Sequence, residues 1–328
     1  MTTYIYALGF FDGVHLGHQA LLRAVKTLAS EGCRGVVTFS GHPDTLVLGT
    51  TPALINTAED RENLLRNYGM DRVVTLPFDK KMQSTPWEDF LEELRRDFGA
   101  GGFVCGEDFR FGAMGTGTAS LLQDLTCGSV CVMASLLQDY CEKEGLPCAV
   151  VPEQEMSGVR ISSTYIRELL TQGRMAEADT FLGHPHVLSG NVVSGRHLGR
   201  TLGIPTANLH LPEGVIVPRF GVYACRALAE GRAYPAVTNV GTRPTVGGHH
   251  ITVEPWLLDY DGDLYGKKIT LEFLDFLRPE QKFDSLEDLK AAILKNAEQT
   301  REIVTSNLPL RGRGTAAAVE EGPRMIEL

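Results

Sequence analysis

The chain has 328 residues, 43% of them hydrophobic and 22% charged, which is an ordinary globular balance with length enough for two domains. A formal net charge of −10 argues against a general nucleic-acid surface, although a few local Arg and backbone N–H groups still suffice for a small anion. No apolar run of about 18 residues and no basic-then-apolar leader occurs, so neither membrane insertion nor secretion is expected and the chain reads as cytoplasmic. The seven cysteines include no C-x-x-C pair. Cys127 and Cys131 are the closest two, with no histidine or second close pair to complete a zinc site, so reduced structural thiols are expected.

Strand and helix signals alternate over the first 180 or so residues. "YIYALGF" is a short apolar run, and "HQALLRAVKTLASEG" places Leu21, Leu22, Val25 and Leu28 at helical spacing before Gly32. "RGVVTF" and "RVVTLPF" read as further strands. Between them "TAEDRENLLRNYG" has Thr57 as its cap and Gly69 as its terminator. "TPWEDFLEELRRDFG" predicts a helix with Thr85 at the cap, Pro86 at the first helical position and Glu88 three after the cap. "GFVCG" and "PCAVV" complete a set that implies an α/β fold, a parallel sheet covered on both faces.

The pattern changes near Gly183. From His184 to about Leu277 short β-rich runs, among them "GVYACRALA", "AYPAVTNVG" and "KITLEFLDFL", are separated by Gly and Pro, which predicts an antiparallel barrel or sandwich. One amphipathic helix follows from about Ser285 to Thr305, with Leu286, Leu289, Ile293 and Ala297 on one face. The expected units are residues 1–183, residues 184–305 and a disordered tail over 306–328. "ASLLQD" occurs at 119–124 and again at 134–139, a short tandem duplication whose extra residues should form a loop or frayed helix and no new site.

Chemistry concentrates in a few places. "FDGVHLGH" lies between the first strand and the first helix, at the carboxyl end of a strand where α/β sheets bind ligands. Gly13 and Gly17 let the backbone approach a ligand, the helix start offers free N–H groups, and His15 and His18 add donors without permanent charge. The plain alternative is a pair of surface histidines in a turn. "RISSTYIRELL" sets Ser162, Ser163 and Thr164 at a helix start with Arg167 one turn inside, either an N-cap or an anion site. In the second half Gly195, Gly199 and Gly203 form a phosphate-compatible loop. Thr206 and Asn208, at i and i+2, share a strand face, where they hold Mg²⁺ beside nucleotide phosphates or form a cross-strand pair. Glu254 stands in an apolar strand context, and a carboxylate there is either paired or functional.

"GFFDGVHLGH", "VVTFSGHP", "GEDFRFG" and "ISSTYIR" together resemble the motifs of the bacterial FMN adenylyltransferase module, a nucleotidyltransferase with an H-x-G-H signature. The resemblance covers Ile5 to Gly183 and implies a Rossmann-like domain that joins FMN and ATP into FAD and pyrophosphate. It implies α/β-phosphate contacts for His15 and His18 and triphosphate contacts for Ser162, Ser163, Thr164 and Arg167. Asp108, Phe109 and Phe111 would line the flavin or ribose side, with core packing as the alternative for the two rings. The nucleophile is a phosphate monoester already largely ionised at neutral pH (second pKa about 6), so no general base is needed. The chain departs from the pattern at Phe10, commonly Asn, at Gly41, commonly Pro, and in the loop after "FRFG".

"GRTLGIPTANL", "NVGTRPT", "VEPWLLDYDGDLYGKKI" and "FLRPEQKFDSLEDLKAAI" resemble riboflavin kinase, whose fold is a six-stranded antiparallel barrel with a C-terminal helix. This second resemblance implies transfer of the ATP γ-phosphoryl to the riboflavin 5′-hydroxyl, with Glu254 as base, Thr206 and Asn208 on Mg²⁺, and Asn239 and Arg278 ordering the flavin or the phosphate loop. The leading reading is a bifunctional enzyme acting on riboflavin, FMN and ATP, without nucleic-acid or membrane partners and with weak self-association left open. A kinase with a weakened adenylyltransferase, and a flavin-sensing binding protein without turnover, are the competing readings.

Overall fold

The apolar run after the N-terminus becomes β1 (Tyr4–Leu8), followed by a single 3-10 turn at Asp12–Val14 and by α1 (Leu16–Leu28). The computed structural model describes residues 2–29, 32–42, 45, 49–109, 130–194, 203–245 and 248–307. Next come β2 (Cys33–Phe39), α2 (Ala58–Asn67), β3 (Arg72–Leu76), α3 (Lys80–Ser84), α4 (Trp87–Phe98), β4 (Ala100–Gly106), α5 (Val130–Glu144) and β5 (Cys148–Val151). The five strands pair in parallel in the order β3-β2-β1-β4-β5.

β1 is central and covered on both faces, which is why it reads as a continuous apolar run and not as an alternation. Ile5 and Ala7 pack with Leu22 and Val25 of α1, while Tyr6 and Leu8 pack with Phe90 and Leu94 of α4. The strand order reverses direction between β1 and β4, and the crevice beyond their carboxyl ends is where such sheets bind ligands. The histidine turn leaves β1 at that edge, and the segment from Gly106 to Phe109 leaves β4 beside it.

Thr57 caps α2 by accepting from the Asp60 amide at 2.9 Å, as its sequence position suggests. Thr85 does not cap α4; Pro86 holds the cap position, and the Thr85 hydroxyl donates to the Lys81 carbonyl of the preceding short helix. Residues 80–84 already form one helical turn, and Thr85 belongs to its end. The second "ASLLQD" copy lies inside α5, with Ala134 and Leu137 buried against the sheet. The first copy lies outside the described residues.

A hairpin, β6 (Glu155–Met156) and β7 (Val159–Arg160), turns through Ser157 and Gly158, both at positive φ, and leads to α6 (Ser163–Gln172) and α7 (Met175–Leu182). Beyond Gly183 the chain forms β8 (His186–Val193), β9 (Asn208–His210), β10 (Gly221–Ala229), β11 (Arg232–Thr245), β12 (Gly248–Leu257) and β13 (Lys268–Arg278). These six strands close into a barrel ordered β10-β11-β12-β9-β8-β13. Ser285 caps α8 (Leu286–Ser306) by accepting from the Asp288 amide at 3.0 Å, and Ala297 packs this helix on Val222 and Val237 of the barrel exterior. Residues 308–328, most of the expected tail, lie outside the described residues.

The sheet half and the barrel share one apolar core. Ile55, Ile166 and Leu182 join the cluster that contains Leu188, Tyr223 and Phe273. Polar contacts cross the same seam: Asn56 Nδ2 donates to the Val187 carbonyl at 3.2 Å, and the Ser189 amide donates to Asp60 Oδ2 at 3.2 Å.

Candidate active sites

The turn after β1 is built around Asp12, Gly13 and His15. Asp12 is almost fully buried; its Oδ1 accepts from the Ile55 amide at 2.9 Å, and its Oδ2 accepts from Arg167 Nη2 at 2.6 Å. Burial pushes the Asp12 carboxyl upward, while the Arg167 guanidinium and the amides pull it down. Gly13 has φ 80°, and a Cβ there would stand 2.9 Å from Ile55 Cδ1, so only glycine suits the position.

His15 is the N-cap of α1, and its Nδ1 accepts from the His18 amide at 3.3 Å. An accepting Nδ1 carries no proton, so the neutral ring presents Nε2–H as a donor. Burial holds His15 down to about 3, and burial together with the neighbouring His15 pulls His18 well below the usual range. The two rings stack at 3.7 Å with 17° between planes, which two imidazolium ions would oppose. This is a pair of neutral donors beside a helix start. His18 Nδ1 is buried and has no protein partner. Gly17 lies against His15, where a Cβ would meet ring atoms at 3.1 Å.

Helix α6 meets this turn. Ser162 caps the helix by accepting from the Tyr165 amide, Ser163 Oγ donates to the Asp12 carbonyl at 2.9 Å, and Arg167 also donates through Nε to the Ala53 carbonyl at 2.8 Å. Three of the four side chains expected to converge on an anion thus engage protein groups, while Thr164 is exposed at the helix start. Asp108 forms an exposed ion pair with Arg160 at 2.7 Å, and Phe109 packs on the core between the sheet and its helices. Phe111 lies outside the described residues.

The barrel carries the second site on its outer face. The ladder opposes Asn239 to Glu254, Val222 to Asn239 and Arg278 to Val222. Val253 opposes Leu209, which puts Asn208 beside Glu254 across the next pair. Because alternate residues point to opposite faces, Val253 and Leu209 enter the core while Asn208, Glu254, Asn239 and Arg278 form one belt outside it. Helix α8 roofs this belt to leave a cleft of about 580 Å³. Thr206, Asn239, Glu254 and Arg278 line it together with Trp256 and Phe283; Asn208 does not. Arg278 Nε donates to Asn296 Oδ1 of α8 at 3.0 Å, so the guanidinium is set between strand and helix. A smaller cavity of about 70 Å³ adjoins, lined by Pro205, Ala207, Pro255, Tyr260 and again Thr206. Gly203 is described and exposed at φ 73°, and Gly195 and Gly199 lie outside the described residues.

Sequence reasoning missed Asp12 and Arg61. Arg61 is fully buried on α2, donates through Nη2 to the Phe39 carbonyl at 2.8 Å, and lies 4.3 Å from the ring centroid of Phe10. Its Nη1 has no partner. The available signal was an arginine four residues before Leu65 on the apolar stripe of α2, where the helical period calls for a nonpolar side chain.

Comparison with known proteins matches both halves. A riboflavin kinase family model matches residues 182–304, and an FAD synthetase model matches residues 2–134. A bifunctional riboflavin kinase/FMN adenylyltransferase of Escherichia coli K12 is 36% identical over 303 residues, covering 91% of this chain and 92% of that one. The protein of that name in Bacillus subtilis 168 is 33% identical, with 90% of each chain covered. A crystal structure described as a macrolide-efflux protein of Streptococcus pneumoniae superposes with a TM-score of 0.73 at 30% identity, covering 94% of this chain and 95% of that one. Among the described residues here, no helix is long and apolar enough to cross a membrane. The synthetase and kinase regions follow one another on this single chain, which matches bifunctionally named relatives along nearly their whole length, and the chain belongs to the bifunctional riboflavin kinase/FMN adenylyltransferase family.

Proposed function

We propose that the two regions divide the chemistry at the boundary near residue 183, the barrel converting riboflavin to FMN and the sheet half converting FMN to FAD. The observation that carries this reading is the gathering of Thr206, Asn239, Glu254 and Arg278 on one cleft of about 580 Å³, lined wholly by residues 204–296, while His15 and His18 stand beyond β1 of the sheet.

In the barrel, riboflavin occupies the larger cleft against Trp256 and Phe283, and the nucleotide enters from the smaller cavity, so that Thr206 stands between them. The attacking group is a neutral alcohol. Its proton passes to the Glu254 carboxylate as the new O–P bond forms and ADP departs with the β–γ bridging oxygen. Thr206 and Asn208 offer neutral oxygens, the donor type a hard divalent cation prefers, and phosphate oxygens complete such a set. Mg²⁺ bound there would neutralise charge on the nucleotide phosphates. Arg278, fixed by Asn296, orders the flavin side.

In the sheet half, the FMN phosphate displaces pyrophosphate from the α-phosphorus of ATP. His15, donating through Nε2–H, and His18 stabilise charge on the α- and β-phosphates, and Thr164 with the first amides of α6 takes the triphosphate end. Ser163 and Arg167 contribute by shaping Asp12 and its turn, and Ser162 by capping α6. Asp108 and Phe109 border the flavin side. The cytoplasm as the site of action belongs to the same reading.

Chromatography of flavins after incubation with ATP and Mg²⁺ tests the division. Glu254→Gln should lower FMN formation by about 10²–10⁴-fold while FAD still forms from supplied FMN. His18→Ala should lower FAD formation by about 10²–10³-fold and spare FMN formation. Loss of both activities from either substitution in a folded chain would refute the assignment.

A further inference from the structure

The turn between β1 and α1 holds three residues at positive φ within four positions, Phe11 at 61°, Gly13 at 80° and Val14 at 42°. Only one is glycine, and each of the others costs on the order of 1–3 kcal/mol unless its surroundings impose the shape. Those surroundings are visible. Three successive carbonyls each meet a polar side-chain atom: Asp12 O accepts from Ser163 Oγ at 2.9 Å, Val14 O accepts from Gln19 Nε2 at 3.0 Å, and Gly13 O lies 2.9 Å from His184 Nε2. In a trans peptide the carbonyl and the following amide point in opposite directions, so anchoring these oxygens sets the direction of the Gly13, Val14 and His15 amides.

Ser163 and Gln19 belong to helices of the sheet half. His184 has a different origin. It follows Gly183, the left-handed C-cap of α7, and stands two residues ahead of the first barrel strand. Its Nδ1 faces the Pro185 carbonyl at 2.7 Å, so the ring spans from the barrel entrance to the histidine turn. Gln19 runs in parallel, its amide also reaching the Leu182 carbonyl at 2.7 Å.

We propose that His184 is a positioning residue for adenylyl transfer, gripping the phosphate turn from the segment that enters the barrel. This rests on the reading of that turn as the ATP site. Loss of the ring's polar contact with the Gly13 carbonyl lets the turn relax toward ordinary φ, moving the amides and His15 relative to the α-phosphate without removing any group that touches substrate. The contact with Gly13 needs one N–H at the position of Nε2, which an amide of similar reach should also supply.

The test compares full-length His184→Leu and His184→Gln with the unaltered chain, measuring FAD formation from FMN and FMN formation from riboflavin on the same preparations. In His184→Leu the kcat for FAD formation should fall by about 10- to 100-fold, with the KM for ATP within about twofold. His184→Gln should recover most of that loss. FMN formation, at a cleft His184 does not line, should stay at the unaltered rate and so report a folded chain. An unchanged kcat in His184→Leu, a change confined to KM, equal impairment in His184→Gln, or a parallel fall in both activities would each overturn the inference. Absence of FAD formation by the unaltered chain would instead sink the proposed function, and this inference with it.

Discussion

At the scale of single residues, the sheet-half site is a backbone shape before it is a set of side chains. Gly13 illustrates this, since both its φ of 80° and the contact of a Cβ with Ile55 at 2.9 Å and Leu182 at 3.1 Å forbid a larger residue. Gly13→Ala should destabilise the chain by about 1–3 kcal/mol and depress FAD formation more than FMN formation. Denaturant titration and the paired flavin assays check both parts; an unchanged midpoint would contradict the packing argument. The histidines and the serine-rich helix start were legible from residue type and spacing. The partner of Arg167 was not. Asp12 lies 155 positions away, and neither segment alone carries a sign of the other.

At the scale of elements, helix α8 does more than close the barrel. Its first turns supply Ser285, Leu286, Leu289 and Ile293 to the cleft wall, while Ala297 further along anchors it on Val222 and Val237. The expected apolar stripe therefore serves two surfaces, and Leu286, 63% exposed, sits at the mouth of the cleft rather than in a core. Replacing the cap with Ser285→Ala should cost about 1 kcal/mol locally and fray the first turn. The expected readout is a raised KM for riboflavin with FAD formation from FMN unaffected. Equal KM values in the two proteins would show that the first turn does not shape the cleft. Capping rules place Ser285 and Thr57 correctly and misplace Thr85 by one position, because a neighbouring helical turn competes for the same residue.

At the scale of the molecule, the apolar cluster shared by Ile55, Ile166 and Leu182 with Leu188, Tyr223 and Phe273 should make the sheet half and the barrel unfold together. Calorimetry near neutral pH is expected to give one transition, and two well-separated transitions would refute the coupling. Acidification should lower that transition. Burial holds His15 and His186 down to about 3 and pulls His18 and His184 below the usual 6.5, whereas the unfolded chain titrates them normally. As pH falls below 6.5 the unfolded state gains protons that the folded state refuses, so His15 and His186 each remove about 1.4 kcal/mol per pH unit, and His18 and His184 act in the same direction. Asp179, pushed up to about 8 by burial, and Asp12, also raised, work in the opposite direction over this window, but four imidazoles outnumber two carboxyls. A transition temperature that rises between pH 7 and about pH 5 would contradict this balance.

The sequence by itself determined the order of elements, the parallel and barrel halves, and the residue types at each candidate site, because helical and strand periods, caps and glycine turns are written over short distances. Only the tertiary structure decided that Glu254, Asn239, Asn208 and Arg278 form one belt, since that requires the register of five neighbouring strands. It alone joined Arg167 to Asp12 and His184 to Gly13. Such contacts arise where distant segments are packed together by the burial of a common core, and no local pattern encodes which polar groups will meet there.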